Sequence, residues 1–415
     1  MTEPDPATRD AVSDAYRREW AQVLATTVRV AGDLDLAEEC VQEAFLSALT
    51  EWDAKGVPAN PGAWLTTVAK RKALDQLRRA STARAKLPLL VEPEGTEGEV
   101  AEETTAIPDD RLRLVFTCCH PALAPETQVA LTLRLVCGLP TAVVAKTFLV
   151  SESTMAARIT RGKKKIQIAS IPYAMPKQDE LSARLDTVLT VIYLFFTAGH
   201  TRSSGETLID DTVVASSIDL ARMLYRLMPN AGEVQGLLAL LLLTDARRGS
   251  RVGPDGRLVL LAEQDRSGWD RGAIVEGLQL VRSARQTAPE GRFVLQAAIA
   301  AVHAQAETAA DTDWPEIARL YTELLRVWGS PVVALNRAVA VAEVEGAEAA
   351  LAIVDELVDA GEVARYPYLW STRAELLRRM NRDEDAGESY RQALLLVQND
   401  VERAFLQERL RSLRW

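Results

Sequence analysis

The sequence predicts an all-α protein, and three observations support that fold class. Alanine and leucine are abundant while glycine and proline are modest, at 22 and 18 of 415 residues, a composition that favours helix. Apolar residues recur at helical spacing along most of the chain, and one helix pair has the spacing of a helix-turn-helix. The expected architecture is two small helical domains, the second a helix-turn-helix, joined by a flexible acidic linker and followed by a helical extension with tetratricopeptide-like repeats.

Length and composition limit the possible classes of protein. With 48% apolar residues, the chain can bury substantial cores, and its length suggests two to four domains. Four cysteines are too few for a disulfide framework. The start of the chain is polar and acidic, unlike a signal peptide, and the most apolar run, Val234 to Leu243, is too short to span a bilayer. We therefore expect a cytoplasmic protein that does not engage a membrane.

Residues 10–52 are predicted to form at least two helices. Asp33 and Asp35 mark the start of one of them. The helix that follows has one wide apolar stripe and an acidic back. The stripe consists of Leu36, Cys40, Val41, Ala44, Phe45, Ala48 and Leu49, and the acidic back of Glu38, Glu39 and Glu43.

A strongly basic helix is predicted from Asn60 to Arg84. Asn60 is a good N-cap, and Pro61 suits the first turn because its missing N–H costs nothing there. Apolar residues recur at Trp64, Leu65, Val68, Leu74 and Leu77, and the basic residues are Lys70, Arg71, Lys72, Arg78, Arg79 and Arg84. In a chain of net charge −10, this positive island indicates a phosphate backbone as its partner. A solvated basic face is the alternative.

An acidic segment separates this helix from the next ordered elements. Residues 86–110 are rich in Pro, Gly and Glu, which predicts an extended linker. Helices are then expected over Arg111 to Cys118 and over Glu126 to Cys137, the second ended by Gly138. The adjacent Cys118, Cys119 and His120 cannot easily converge on one ion, so we expect buried thiols at a helix terminus and no metal site.

Residues 140–168 have the spacing of a helix-turn-helix. A short helix from Pro140 to Phe148 is followed by a three-residue turn, Leu149 to Ser151. A second helix, capped by Ser151 or Ser153, then runs to about Ile168. The polar residues near its start could reach base edges in a major groove, while the basic residues toward its end could meet phosphates.

From residue 176 onward the chain is predicted to remain helical. A helical hairpin is expected over Asp219 to Met228 and Glu233 to Arg248, and residues 249–270 break the pattern with Gly, Pro and Asp. Charged residues concentrate around that break, and we expect them to form an ion-pair network that orders the loop. A ligand or signal site is the alternative. The cluster consists of Arg247, Arg248, Arg251, Asp265, Arg266 and Asp270.

Residues 290–415 show weak repetition at a spacing of about 34–37 residues. One unit has small and large residues at the positions of a tetratricopeptide repeat, namely Trp370, Ala374, Leu377, Ala386, Tyr390 and Ala393. This spacing predicts stacked helical pairs. An ordinary antiparallel bundle is the alternative. His200 and His303 lie on predicted helices as lone histidines.

Taken together, the first 170 residues resemble the extracytoplasmic-function (ECF) group of the σ70 family, bacterial RNA polymerase initiation factors. The acidic helix LDLAEECVQEAFLSALTEW resembles the family's helix for docking on the polymerase β′ clamp. PGAWLTTVAKRKALDQLRR resembles its −10 recognition helix, with Arg71 where the family often has Asn, and the helix-turn-helix resembles its −35 reader. DDRLRLVFTCCHPALAPE and the long helical extension resemble the subgroup with a C-terminal tetratricopeptide-like domain.

The resemblance implies three sets of contact residues. The polymerase-binding set is Asp35, Glu38, Glu39, Gln42, Glu43 and Phe45. The −10 DNA-binding set is Lys55, Asn60, Trp64, Lys70, Arg71, Arg78 and Arg79, although Trp64 is expected mainly to pack inward. The −35 DNA-binding set is Ser153, Thr154, Arg158, Arg161 and Lys164.

The resemblance also implies domains and partners. The expected domains are σ region 2 at 1–85, the acidic linker at 86–110, σ region 4 at 111–172, a helical middle domain at 173–290 and tetratricopeptide-like repeats at 291–415. The partners would be core RNA polymerase, through its β′ clamp and β flap, promoter DNA, and a regulatory protein on the repeats. The protein would be no enzyme and would need no cofactor. A helix-turn-helix regulator that never binds core polymerase, and a tetratricopeptide adaptor, are the alternatives.

Overall fold

The computed structural model describes residues 5–85, 110–148 and 150–413. These residues are predominantly helical, which confirms the all-α prediction. They fall into two compact units, Met1–Val191 and Ile192–Trp415. The predicted linker, apart from Asp110, lies outside the described residues, as do Leu149 and the side chain of Arg84.

The first unit contains seven helices within the described residues and the beginning of an eighth. They are α1 (Pro6–Ala31), α2 (Leu34–Lys55), α3 (Pro61–Ala85), α4 (Asp110–Cys118), α5 (Pro125–Leu131), α6 (Thr141–Thr147), α7 (Glu152–Ile168) and α8 (Gln178–His200).

The predicted capping residues begin three of these helices. Asp33 accepts a hydrogen bond from the Leu36 N–H at 2.8 Å at the start of α2. Asn60 accepts one from the Ala63 N–H at 3.0 Å before α3, and Ser151 accepts one from the Thr154 N–H at 3.2 Å before α7. Each bond satisfies a backbone donor that the first helical turn leaves open.

The buried face of α3 differs from the apolar stripe that the sequence predicts. Leu65, Ala69 and Ala73 are fully buried, whereas Leu74 and Leu77 are exposed. The two alanines carry small side chains, so the helix can approach α1 and α2 closely along that face. The predicted stripe was therefore shifted by part of a turn, because spacing alone does not distinguish a small core residue from a surface alanine.

The predicted helix from Glu126 to Cys137 is not regular along its length. After α5 the chain forms a π-helical segment, Thr132–Val136, in which the Cys137 N–H donates to the Thr132 carbonyl at 3.1 Å. Gly138 follows with a left-handed φ of 70°. The extra residue per turn was not visible in the spacing of apolar residues.

The π-helical segment and Gly138 pack on α1. The Trp20 indole N–H donates to the Leu135 carbonyl at 2.9 Å, and the Tyr16 hydroxyl donates to the Gly138 carbonyl at 2.9 Å. Tyr173 joins the same two parts of the unit, because its hydroxyl lies 2.8 Å from the Ala25 carbonyl. The helices before and after the linker therefore share one core.

The second unit continues as a series of helices with one minimal sheet. The helices are α9 (Asp211–Leu227), α10 (Gly232–Asp245), α11 (Arg271–Thr287), α12 (Arg292–Gln305), α13 (Trp314–Val327), α14 (Pro331–Val344), α15 (Ala347–Ala360), α16 (Pro367–Arg379), α17 (Asp383–Leu396) and α18 (Asp400–Arg411). The strands β1 (Ser204–Gly205) and β2 (Gln398–Asn399) pair in parallel. Each helix from α12 to α18 packs on the next one in the chain.

The residues assigned to one repeat form part of a buried core. Ala374, Leu377, Ala386, Tyr390 and Ala393 are all buried. Helices of 13 or 14 residues, α13 to α17, follow one another at short intervals. The stacking of successive helices agrees with a helical repeat array, and its assignment as tetratricopeptide-like remains a prediction.

The irregular segment after α10 is ordered in a different way from the ion-pair network that the sequence predicts. Arg248 does form ion pairs, with Asp245 and with Asp211. Arg251, however, donates to the His200 carbonyl and, at 3.0 Å, to the Thr201 hydroxyl, and Arg266 donates to the carbonyls of residues 303 and 306. Backbone carbonyls left open at helix ends take up these guanidinium donors, which a list of charged residues could not reveal.

One helix, Asp179–His200, is long and apolar enough to cross a membrane by length and composition alone. A buried helix of a globular protein passes the same test, and Val188, Ile192 and Phe195 on this helix are buried. Length and apolarity are therefore weak grounds for a membrane span here.

Replacing Gly138 with alanine should destabilise the first unit more than replacing Gly32. Both glycines have left-handed φ, 70° and 67°, so both substitutions strain the backbone by a similar amount, about 1–2 kcal/mol. A Cβ at position 138 would meet the Trp20 ring at 2.8 Å, whereas one at position 32 would have nothing within 4 Å. We expect Gly138→Ala to lose a further ~1–3 kcal/mol. Urea unfolding of both variants measures the difference, and equal losses would contradict the packing of Trp20 on Gly138.

Candidate nucleic-acid interface

The acidic helix α2 exposes only part of the predicted polymerase-binding set. Asp35, Glu39 and Gln42 are exposed on one face of the helix. Glu43 is partly buried and pairs with Lys72 of α3 at 3.0 Å. Three of the six residues are therefore open to a protein partner in this conformation.

Phe45 lies in the core and not on the surface of α2. Its side chain is 6% exposed, and its ring lies 5.1 Å from that of Tyr16 and 6.2 Å from that of Trp20. Aromatic packing of this kind stabilises the domain. The structure therefore gives Phe45 a core role, in contrast to a direct contact with a partner.

Leu46 is an exposed apolar residue that the sequence prediction missed. It is 64% exposed and lies one helical turn beyond Gln42, on the same face as Glu39. A single exposed leucine is common on protein surfaces, so Leu46 adds one apolar contact to this face and does not by itself identify a docking surface. Leu46 is an apolar residue outside the predicted apolar stripe of the helix, and this position could have indicated that its side chain is exposed.

Glu38 is the centre of a buried ion cluster. It is 7% exposed, and its carboxylate contacts both the Lys163 ammonium from α7 and the Arg134 guanidinium from the π-helical segment. Lys163 also pairs with Asp35 at 2.7 Å. The cluster therefore joins the acidic helix to the second basic helix, and it covers part of the predicted polymerase-binding surface.

Lys163 stays charged in this cluster. Burial alone would lower the pKa of its ammonium, but Glu38 and Asp35 outweigh burial and raise the pKa above its ordinary value. A raised pKa for a lysine means that its stabilising contribution is complete at neutral pH and is lost only as the pH rises through that folded-state pKa. The cluster is therefore fully formed under physiological conditions.

A groove between α2 and α3 brings part of the predicted −10 set together. It has a volume of about 880 Å³, and Trp64, Arg71 and Arg79 line it. Arg71 and Arg79 are exposed, while Trp64 is partly buried and meets the Trp52 ring edge-on at 5.6 Å. The expectation that Trp64 packs inward is thus met in part, because the ring packs on Trp52 and still borders the groove.

The other residues of the −10 set lie around this groove or on the preceding loop. Lys55 and Asn60 are exposed at the two ends of the loop that joins α2 and α3. Lys70 is partly buried, and Arg78 is exposed, with Asp75 at 3.9 Å. The lining of the groove contains three basic and three acidic residues, so the cations that it offers to a polyanion are the exposed Arg71 and Arg79 of α3.

The predicted −35 residues lie on the outer face of α7. Ser153, Thr154, Arg161 and Lys164 are exposed, while Arg158 is partly buried over the Phe148 ring at 5.5 Å. The opposite face, with Met155, Ile159 and Ile166, is buried. The sequence pattern predicted most of this exposed face, but the basic run near its end also contains Lys163, which was expected to be exposed and is buried.

The thiols next to His120 are buried, as predicted. Cys118 and Cys119 are inaccessible, and burial raises the pKa of Cys119 to about 12. The His120 ring accepts a hydrogen bond from the Ala122 N–H at 3.1 Å. No set of three His, Cys, Asp or Glu residues within the described ranges is placed to hold a metal ion.

Three family profiles match the chain. The profile for Sigma-70 region 2 matches residues 13–82, and the profile for Sigma-70 region 4 matches residues 113–166. A family of unknown function, DUF6596, matches residues 184–285. The first two matches contain the groove between α2 and α3 and the exposed face of α7.

Several known proteins are similar to the chain. An uncharacterised protein of Rhizobium meliloti is 40% identical over 393 residues, which cover 94% of this chain and 92% of that protein. The probable ECF RNA polymerase sigma factor SigI of Mycobacterium tuberculosis is 29% identical over 44% of this chain and 67% of SigI. The ECF RNA polymerase sigma factor SigJ of the same organism is 31% identical over 35% of this chain and 46% of SigJ.

Glu38→Gln should destabilise the first unit, whereas Glu39→Gln should not. The first change leaves the Lys163 and Arg134 cations without their shared carboxylate in a buried site, at a cost of about 3 kcal/mol. Glu39 is the exposed neighbour, and its replacement should change stability by less than about 0.5 kcal/mol. Thermal unfolding of the two variants compares them. Equal melting temperatures would show that the cluster does not hold the unit together.

Proposed function

Because the chain belongs to the ECF group of the σ70 family, we propose that it binds core RNA polymerase and directs promoter-specific transcription initiation. A σ factor recruits an enzyme to a promoter without doing covalent chemistry itself, so the chain is not an enzyme. In this proposal the protein acts in the cytoplasm, and its second unit regulates or supports its activity.

The observation that carries the proposal is the presence of two distinct basic surfaces in one unit. The outer face of α7 has polar tips at its start and cations toward its end, which suits the major groove of duplex DNA. The groove along α3 combines Arg71 and Arg79 with the edge of Trp64. Cations beside an aromatic ring suit single-stranded DNA, because a released base needs stacking and its backbone needs positive charge.

The exposed face of α2 is the surface that we propose for core polymerase. Asp35, Glu39 and Gln42 offer negative charge and hydrogen-bond acceptors, and Leu46 offers an apolar contact in the same row. Interfaces commonly combine an apolar centre with a charged rim that guides the encounter. Glu38 would join this surface once both Lys163 and Arg134 release it.

We further propose that the ion cluster opens when the protein binds a promoter with polymerase. The −10 and −35 elements lie about 25 base pairs apart, or roughly 85 Å of duplex at about 3.4 Å per pair. Helices α2 and α7, by contrast, touch through the Lys163–Asp35 contact of 2.7 Å. Residues 86–109 can span at most about 80 Å at about 3.4 Å per residue, a reach of the same order as that distance.

The alternative function is a duplex-binding regulator with an interaction module that never meets core polymerase. Such a protein needs only the helix-turn-helix face of α7. The groove of about 880 Å³ along α3 and the exposed acidic face of α2 would then have no use. Transcription with purified core polymerase separates the two functions directly.

Run-off transcription with core polymerase should give discrete, promoter-specific products that depend on the exposed face of α2. The double variant Glu39→Ala with Leu46→Ala should bind core polymerase about 30-fold more weakly, because each of the two exposed contacts contributes about 1 kcal/mol. Thr50→Ala, at an exposed position on the same helix, is the matched control. If the wild-type protein yields no promoter-specific transcript on a promoter library, the proposed function is wrong. Unchanged affinity of the double variant would reject only the assigned surface.

Replacing Arg158 and Arg161 with alanine should weaken binding to duplex DNA that carries the −35 element. A lost base contact should cost about 1–3 kcal/mol and relax sequence preference at one position, whereas a lost phosphate contact should reduce the salt slope by about 1. The double variant Arg326→Ala with Arg382→Ala, at two exposed arginines of the second unit, controls for the loss of two positive charges. Binding at several salt concentrations measures both effects, and an unchanged affinity and slope would contradict the recognition role of α7.

A further inference from the structure

A cavity of about 320 Å³ lies within the second unit. Its walls come from α8, α10, α12, α13 and α14 and from the irregular segment after α10. Its volume falls at the lower end of the range for small-molecule sites, about 300–1,000 Å³. None of the residues proposed above for DNA or polymerase lines it.

The wall of the cavity is rich in aromatic side chains. Tyr193, Trp269, Tyr321 and Trp328 all line it, together with aliphatic residues from α10 and α13. Asn336 on α14 also lines the cavity and is exposed, so the cavity opens to solvent on that side. Such a wall favours a flat or branched apolar body over a strongly hydrated one.

Arg247 brings an uncompensated positive charge to this wall. It lines the cavity, and within the described residues its guanidinium has neither a hydrogen bond nor an ion pair. Burial, together with the nearby charge of Arg251, lowers the pKa of Arg247 to about 10. The group therefore remains cationic at neutral pH while no carboxylate compensates it.

The neighbouring arginines differ from Arg247, because each of them binds another group of the protein. Arg248 pairs with Asp245, Arg251 binds the end of α8 through Thr201, and Arg266 binds carbonyl groups at the end of α12. Each of these side chains thus has a structural partner inside the unit. Arg247 is the arginine of the charged cluster whose guanidinium has no partner among the described residues, so it is available to a ligand.

Two further residues that line the cavity have buried polar atoms without partners in the described parts of the chain. The Trp269 indole nitrogen and the His303 Nδ1 atom are buried and make no hydrogen bond within the described residues. Burial and the charges of Arg266 and Arg247 lower the pKa of His303 to about 4, so its ring is neutral at physiological pH. Buried polar atoms without partners are uncommon and indicate a missing ligand or water.

We propose that this cavity binds a small carboxylic acid with an aromatic or branched aliphatic body, and that Arg247 pairs with its carboxylate. A planar guanidinium matches a carboxylate with two parallel hydrogen bonds. The rings of Trp269 and His303 line the same cavity. The aromatic residues hold its apolar body.

A phosphate ester fits this cavity less well than a carboxylate. A phosphate dianion commonly needs several cations or a row of backbone N–H groups. Here Arg248, Arg251 and Arg266 are already engaged by protein groups. One free guanidinium in an apolar wall therefore matches a single negative charge.

The first test is binding of a defined set of acids to the full chain. Benzoate, phenylacetate, indole-3-acetate and 4-methylpentanoate serve as probes in saturation-transfer NMR, and indole-3-acetamide serves as the uncharged control. We expect at least one acid to bind with a dissociation constant below about 1 mM and the amide to bind at least tenfold more weakly. Absence of binding by all four acids at millimolar concentration, or equal binding of the amide, would overturn the proposal.

The second test uses Arg247→Met, which removes the charge and keeps a long apolar side chain. We expect this variant to lose acid binding by at least tenfold and, without ligand, to melt about 2–4 °C higher, because a partly buried charge without a partner destabilises the free protein. Arg257→Met, an exposed arginine on the same segment, is the matched control and should retain binding. Retained binding in Arg247→Met, or a lower melting temperature, would show that Arg247 has a structural role instead.

Discussion

The first unit depends on one buried contact, in which Glu38 on α2 receives Arg134 and Lys163 from elements that follow the linker. This contact places the −10-like groove and the −35-like helix in one compact body. A buried ion pair adds little net stability relative to an apolar contact, but removing one of its two partners destabilises the protein because a buried charge is then left unpaired. Its main effect is therefore to determine which surfaces meet. The same carboxylate belongs to the surface that we propose for core polymerase, so the contact couples the arrangement of the unit to its partner.

The helices and their starts were largely predictable from the sequence, because caps and periodicity are local. Asp33, Asn60 and Ser151 occupy the predicted capping positions. The burial of Glu38 was not predictable, since its cation Lys163 lies 125 residues away in the chain. The π-helical segment before Gly138 also escaped prediction, because one extra residue in a turn leaves the apolar pattern nearly unchanged.

The second unit shows a similar limit. The sequence located a charged cluster around residues 247–270, and the structure distributes its members among carbonyls, carboxylates and helix caps. The sequence could not show that Arg247 lacks a partner within the described chain, because this depends on how helices α8, α12 and α13 pack around it. Composition can indicate where charges gather, whereas their pairing requires the fold. In this account the second unit would bind a small ligand in its cavity, and the exposed surfaces of the first unit would bind polymerase and promoter DNA.

The most direct test of the account is the distance between α2 and α7 with and without core polymerase and promoter DNA. Spin labels at Thr50→Cys and Lys165→Cys, both exposed positions, report that distance in a Cys137→Ser background, since Cys40, Cys118 and Cys119 are buried. We predict one short distance in the free protein and a shift of several tens of ångströms in the complex, because one unit must then reach two promoter elements. An unchanged short distance in a complex that transcribes from the promoter would contradict the opening of the Glu38 cluster.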